Sequence, residues 1–191
     1  MAEIRKLAPL LLKWEAGALP QSSLEGQWEK ARTKGFSNHP NDSGGATMCG
    51  ITIKTYTRYR KMKGKPEPSV NDLKNITLEE WLDILRTYYW NKMQADQIRN
   101  QSVANLCVDN VWGSGTGYIR QIQAVAGTKA DGIVGPKTIA AINNANQRTL
   151  FYKLVEKRRL FYLNLTLSHP SYKVFYKGWL NRLSDFKYSD Q

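Results

Sequence analysis

Glu15 closes the apolar run Leu10-Leu11-Leu12-Lys13-Trp14, and Gly17 and Pro20 follow it. A carboxyl group beside apolar residues at the end of a helix is disfavoured as an anion by desolvation and by the negative end of the helix dipole. That is an environment for a proton donor. Downstream, Gly35 to Thr52 reads GFSNHPNDSGGATMCGIT, which supplies a second carboxylate, Asp42, in a glycine-rich turn, and then a threonine, Thr47. Hydrolysis of a glycosidic bond commonly uses two carboxyl groups. One protonates the leaving oxygen; the other activates water or stabilises the oxocarbenium-like state. On spacing alone Glu15 reads as an ordinary exposed glutamate and Asp42 as a turn former, so their context has to decide.

The elements that would position these residues are mostly helices. Ile4, Leu7, Leu10, Leu11 and Trp14 recur at helical spacing and predict an amphipathic helix over 3–15. Residues 18–34 are polar with one tryptophan, Trp28, and read as an inserted loop or short helix. Ala46 to Ile53 alternates weakly and suits a small β-hairpin. A basic helix begins at Ile53 and ends in the breaker stretch KGKPEPS; Thr77 with Glu80 then forms a capping box for the next helix. YYWNKM, Tyr88 to Met93, reads as core or cleft wall. Further stripes predict a helix through Val103 to Val111, a short one ended by Gly127, and another starting at Gly135-Pro136. A long helix to about Ser168 and a last amphipathic one through Phe175, Trp179 and Leu183 complete the chain. The fold class expected is mainly α with at most one small β-hairpin.

The composition, 41% hydrophobic and 23% charged, is that of a globular chain rather than a disordered one. No apolar run is long enough to cross a membrane. The amino-terminal apolar stretch lacks a small-residue cleavage site and reads as a first helix, not a signal peptide. Either the chain stays inside until something releases it, or an export signal is missing from this sequence. The net charge of +12 is uneven: residues 1–116 carry 16 basic and 12 acidic side chains, residues 117–191 carry 12 and 4. Such a surface concentrates polyanions, of which nucleic acid is one and an acidic cell wall another. No recognition motif accompanies the charge, so nucleic acid is not the expected partner. Two cysteines, Cys49 and Cys107, and two histidines cannot build an ordinary four-ligand zinc site, and neither metal nor cofactor is expected. The cysteines read as buried free thiols, with one disulfide as the alternative.

The segment Asp42-Ser43-Gly44-Gly45-Ala46-Thr47-Met48-Cys49-Gly50-Ile51-Thr52 resembles the glycoside hydrolase family 108 lysozymes, whose motif runs Asp-x-Gly-Gly-x-Thr-x-x-Gly-Ile-Thr after a Glu-Gly-Gly-Tyr-like element. Every fixed position is matched. The resemblance implies a lysozyme-like helical fold and an N-acetylmuramidase activity on the β-1,4 bond between N-acetylmuramic acid and N-acetylglucosamine. It places the essential glutamate at Glu15 in WEAG, with Asp42 orienting the attacking water and Thr47 holding it. Two departures accompany it: Ala16 replaces the first motif glycine, and the insert puts Asp42 27 positions after Glu15 rather than about ten. Glu25-Gly26 is therefore a rival alignment. Trp14, Tyr89 and Trp112 are candidates to line sugar subsites, with Asp109 as another possible cleft residue, although core packing or a structural role is the default for each.

Arg120 to Asn143, with its core Asp131-Gly132-x-x-Gly135-Pro136-x-Thr138, resembles the predicted peptidoglycan-binding region of the same family. The division implied is a catalytic region at 1–116 and a peptidoglycan-binding helical region at 117–191, packed into one globule. The partner is peptidoglycan glycan strands, met in the periplasm or at the cell exterior by an unknown route of export or release. A catalytically inactive wall-binding protein is the alternative.

Overall fold

Leu7, Ala8, Leu11 and Leu12 bury one stripe of the first helix, α1 (Ile4–Ala16), as their spacing requires. The computed structural model describes residues 1–38 and 45–190, so Asp42 lies outside the described residues. Two compact units divide the chain: Leu7–Arg86, and Met1–Lys6 with Thr87–Gln191.

In the first unit the polar insert is not a loop. It forms α2 (Leu24–Lys34), capped by Ser23, whose hydroxyl accepts from the Gly26 N–H at 3.1 Å. Of the two readings the segment allows, loop or short helix, the helix is the one formed, because a narrow stripe of Gln27, Trp28 and Ala31 suffices to dock it. Gln27 is buried and satisfied: its Nε2 donates to the carbonyls of Pro9 (2.9 Å) and Ala18 (2.8 Å). The sheet is also larger than expected, with three antiparallel strands, β1 (Phe36–Ser37), β2 (Thr47–Met48) and β3 (Ile51–Thr52), in the order β1-β2-β3. The extra strand is β1, which is too short to alternate visibly.

Thr52 caps α3 (Ile53–Met62), and Ser69 with Asp72 makes a full capping box for the short α4 (Val70–Lys74), which begins where the breaker stretch ends. At α5 (Leu78–Leu85) the hydroxyl of Thr77 accepts from the Glu80 N–H, as expected of a cap. The Glu80 carboxylate accepts from the Thr77 backbone and also from Lys65 Nζ (2.9 Å) and Tyr56 Oη (3.2 Å). Beside it Asp83 accepts from Tyr59 Oη at 2.7 Å and pairs with Lys63 at 2.7 Å.

The second unit begins as α5 gives way to a π-helical turn, Arg86–Trp90, in which Trp90 is buried. It continues through α6 (Gln101–Ser114), α7 (Ile119–Ala126), α8 (Pro136–Asn144), α9 (Gln147–Ser168) and α10 (Lys173–Asp185). At its centre Arg158 of α9 is 2% exposed, with its guanidinium 4.5 to 5.1 Å from the rings of Tyr118, Phe161 and Tyr162 and its Nη1 on Ser114 Oγ at 2.7 Å. The Asp131-Gly132 turn is held by buried Gln123, which donates to Asp131 Oδ1, Ile133 O and Thr138 Oγ1 and accepts from the Gly132 N–H. Gly132 supplies the positive φ, +82°, that this turn demands.

Burial alone would raise the carboxyl groups of Glu80 and Asp83, but the lysines and phenols outweigh it and hold both below the usual carboxylate range. Groups with depressed pKa stabilise the fold above their unfolded values and lose that contribution as pH falls through their folded ones. The melting midpoint should therefore drop as pH is lowered from about 5 to about 3, and the Glu80→Gln, Asp83→Asn pair should flatten that slope. An unchanged slope would show that these pairs do not differ between folded and unfolded chains.

Candidate active site

The end of α1, the return of the insert and the hairpin turn meet at Gly35. The chain leaves α1 at Gly17 with φ +63°, runs through α2 and comes back at Gly35, the C-cap of α2. A Cβ at Gly35 would lie 3.1 Å from the Ala16 methyl and 3.0 Å from the Ala31 carbonyl, and would collide with the Cys49 sulfur. Glycine is needed there for close approach, since its φ is an ordinary −80°.

The hairpin register, Met48 opposite Ile51, leaves Cys49 and Gly50 as a two-residue turn with φ of +46° and +81°. Positive φ at both positions is the turn that matches the twist of a hairpin. Glycine takes it freely, whereas cysteine has to be held in it. Three contacts hold Cys49: its N–H donates to the Gly35 carbonyl at 2.8 Å, its carbonyl accepts Trp81 Nε1 at 2.9 Å, and its sulfur packs at Gly35. Trp81 in turn packs on Trp28 of the insert, ring centroids 5.9 Å apart.

Glu15 is half-buried on the last turn of α1, one residue before Ala16. Its charge reaches the hairpin turn: burial, and after it Glu15, pushes the Cys49 thiol up to about 12. Both cysteines are buried free thiols. Thr47, on β2, is half-buried and pairs across the sheet with Ser37 and Thr52; its hydroxyl is 3.4 Å from the Gly45 carbonyl. Trp14 is half-buried with Lys13 Nζ 5.4 Å from its ring centre. The rival Glu25 is exposed in the first turn of α2. It edges a cavity of about 410 Å³ with Trp28, Glu29, Arg32, Ile76 and Leu78, a cavity that Glu15 does not line.

The other candidates belong to the second unit. Tyr89 and Trp112 are half-buried and pack ring on ring, 4.7 Å between centres. Asp109 is buried on α6 and its Oδ1 accepts from both Nε (3.0 Å) and Nη2 (2.6 Å) of Arg182. That charged pair gives Asp109 a structural occupation. Among the described residues no group of three or more histidines, cysteines and carboxylates is arranged to hold a metal. Gln27 escapes sequence reasoning altogether, and Trp81 reads only as one of a core stripe with Leu78 and Leu85. Their hydrogen bonds join segments with no shared motif, so only the buried, helical spacing of Trp81 could have hinted at its place.

Comparison with known proteins bears on the family and the fold. The family model of Glycosyl hydrolase 108 matches residues 23–115, a span that starts after Glu15 and includes Glu25, and the Predicted Peptidoglycan domain matches residues 118–184. No curated protein matches the chain. Among solved structures, Brucella abortus SagA is 30% identical, with a TM-score of 0.64 over 79% of this chain and 82% of that one. The motif, the mainly α lysozyme-like fold and these matches together make the chain a member of glycosyl hydrolase family 108, a glycosidase that at family level is a peptidoglycan hydrolase.

Proposed function

We propose that the chain is an N-acetylmuramidase that cleaves the β-1,4 bond between N-acetylmuramic acid and N-acetylglucosamine, with Glu15 as the proton donor. The observation that carries this reading is the meeting of Ala16 and Gly35. The insert opens the family motif in sequence but its ends return to one point, so that Glu15-Ala16 and Gly35-Phe36 stand as one Glu-Gly-Gly-Tyr-like element. Removing residues 17–34 would leave Asp42 nine positions after Glu15, close to the spacing of the family.

The rival is disfavoured on physical grounds. Glu25 sits in the first turn of a helix, where the dipole stabilises a carboxylate and works against proton donation. Glu15 is at the opposite end of its helix.

In the reaction Glu15 gives its proton to the glycosidic oxygen as the bond to the anomeric carbon breaks, and one water adds its oxygen to that carbon and sheds a proton to solvent, from which Glu15 is reprotonated. Asp42 orients this water and Thr47 holds it. Trp14 and the Tyr89–Trp112 pair supply aromatic faces for sugar rings. Residues 1–116 carry the catalysis and residues 117–191 hold the wall, at the periplasm or the cell exterior. The replacement of a motif glycine by Ala16 favours one second reading, a wall-binding protein without activity.

Release of reducing ends from purified peptidoglycan tests the assignment. Glu15→Gln should retain less than about a tenth of the activity, since a general acid is worth about 10²–10⁴ in rate. Glu25→Gln should keep activity near that of the unmodified chain; the reverse pattern would move the donor to Glu25. Sedimentation with peptidoglycan but no release by the unmodified chain would establish the second reading.

Gly35→Ala tests the junction itself. A methyl group forced against Cys49 and Ala16 costs about 1–3 kcal/mol by overpacking, which at roughly 2–4 °C per kcal/mol should lower the melting midpoint by several degrees. Activity should fall further than stability, because the shift displaces Glu15 from the hairpin. An unaltered midpoint would mean that the approach at Gly35 is not tight.

A further inference from the structure

Where α9 passes into α10, a set of aromatic rings runs from the core to solvent. Tyr162, 6% exposed, stacks on Trp179 with centroids 5.1 Å apart at 22°, and Trp179 continues to Phe175 at 6.0 Å and 31°. Phe175 is 54% exposed. A second parallel pair, His169 and Tyr172 at 5.1 Å and 17°, stands against the first: Tyr172 meets Trp179 at 85° and Phe175 at 61°. The two pairs make a corner, with one set of rings as a floor and the other as a wall. Tyr172, in the second pair, is 40% exposed. A protein surface rarely leaves so many large apolar side chains together in water without something to cover them.

We infer that this corner is a binding site for a glycan strand of an anionic wall polymer, separate from the residues that carry hydrolysis. A pyranose ring presents one face of C–H groups, which packs on an aromatic ring as a planar apolar object, while its hydroxyl edges stay wet. A floor and a wall set nearly at right angles grip such a ring on its face and one edge. The charge fits the same occupant. The rings sit within a stretch, 117–191, that holds 12 basic and 4 acidic residues. All of these rings fall inside residues 118–184, which match the Predicted Peptidoglycan domain. The inference rests on the wall-directed reading of this region but not on Glu15.

The test uses the full chain carrying Glu15→Gln, so that insoluble peptidoglycan stays intact during sedimentation. Tyr172→Ser with Phe175→Ser should weaken the apparent affinity by about tenfold or more, at a melting midpoint close to that of the parent. Phe175→Ser alone, which leaves the buried rings in place, should also weaken it and decides the matter if the serine pair fails to fold. Unchanged sedimentation of either folded variant overturns the proposal. So does an effect confined to flotation with vesicles of anionic phospholipid, or to the molar mass in light scattering, which would make the corner a lipid or self-association surface. Reducing-end release by the chain with Glu15 intact is read separately, and its absence would sink the hydrolase reading while leaving the corner standing.

Discussion

The first unit depends on a side chain that is absent. At Gly35 the backbone passes close enough to Ala16, Ala31 and Cys49 that no Cβ fits, and this approach ties the last turn of α1 to the turn of the hairpin. Much else follows from it. The Cys49 N–H finds the Gly35 carbonyl, Trp81 closes on the Cys49 carbonyl, and a non-glycine residue is held at a positive φ that it would not otherwise keep. The cost of that conformation, about 1 kcal/mol or more, is offset by two buried hydrogen bonds and the packing of a tryptophan. Glu15 is one residue from the junction, so the backbone around it helps to set its position.

In the second unit the corresponding constraint is a buried charge. Arg158 has three aromatic rings and a serine hydroxyl around it, and its Nε has no hydrogen-bond partner among the described residues. A bare guanidinium in such a place would carry a large desolvation penalty. Ring faces with negative quadrupoles recover part of it and bring α9 against the start of α7. Asp109 and Arg182 use a different solution on α6 and α10, a direct charged pair with two hydrogen bonds. The same aromatic series that surrounds Arg158 continues outward through Tyr162 and Trp179 to Phe175, so the exposed corner stands on rings already fixed by the core.

The sequence carried the helices because their stripes are long and regular: Leu7, Leu11 and Leu12 in α1, and Leu150 and Leu154 in α9, are buried where periodicity puts them. The hairpin was legible from Gly50 and the alternation around it. Two features were less legible. α2 has a narrow apolar face in a polar segment, and its docking relies on Gln27, a residue whose burial is decided by two distant carbonyls. β1 has two residues and no pattern of its own. The candidate residues were legible by type and motif order; the junction at Gly35, which brings the end of α1 to the hairpin turn, is a long-range fact written nowhere in local spacing.

The insert shows why a motif can survive being opened. Closing a loop costs entropy that grows only with the logarithm of its length, so eighteen further residues are cheap if their ends already meet. Residues 17–34 leave at Gly17 and return at Gly35, and the distance between their neighbours is set by the touching of Ala16 and Gly35. Between those points the segment forms its own helix and buries Trp28 against Trp81, the residue that also holds the hairpin turn. The insert thus adds hydrophobic contact to the element that fixes the junction and makes no demand on the junction's geometry. An excursion of this kind adds support to the junction while separating Glu15-Ala16 from Gly35-Phe36 in sequence.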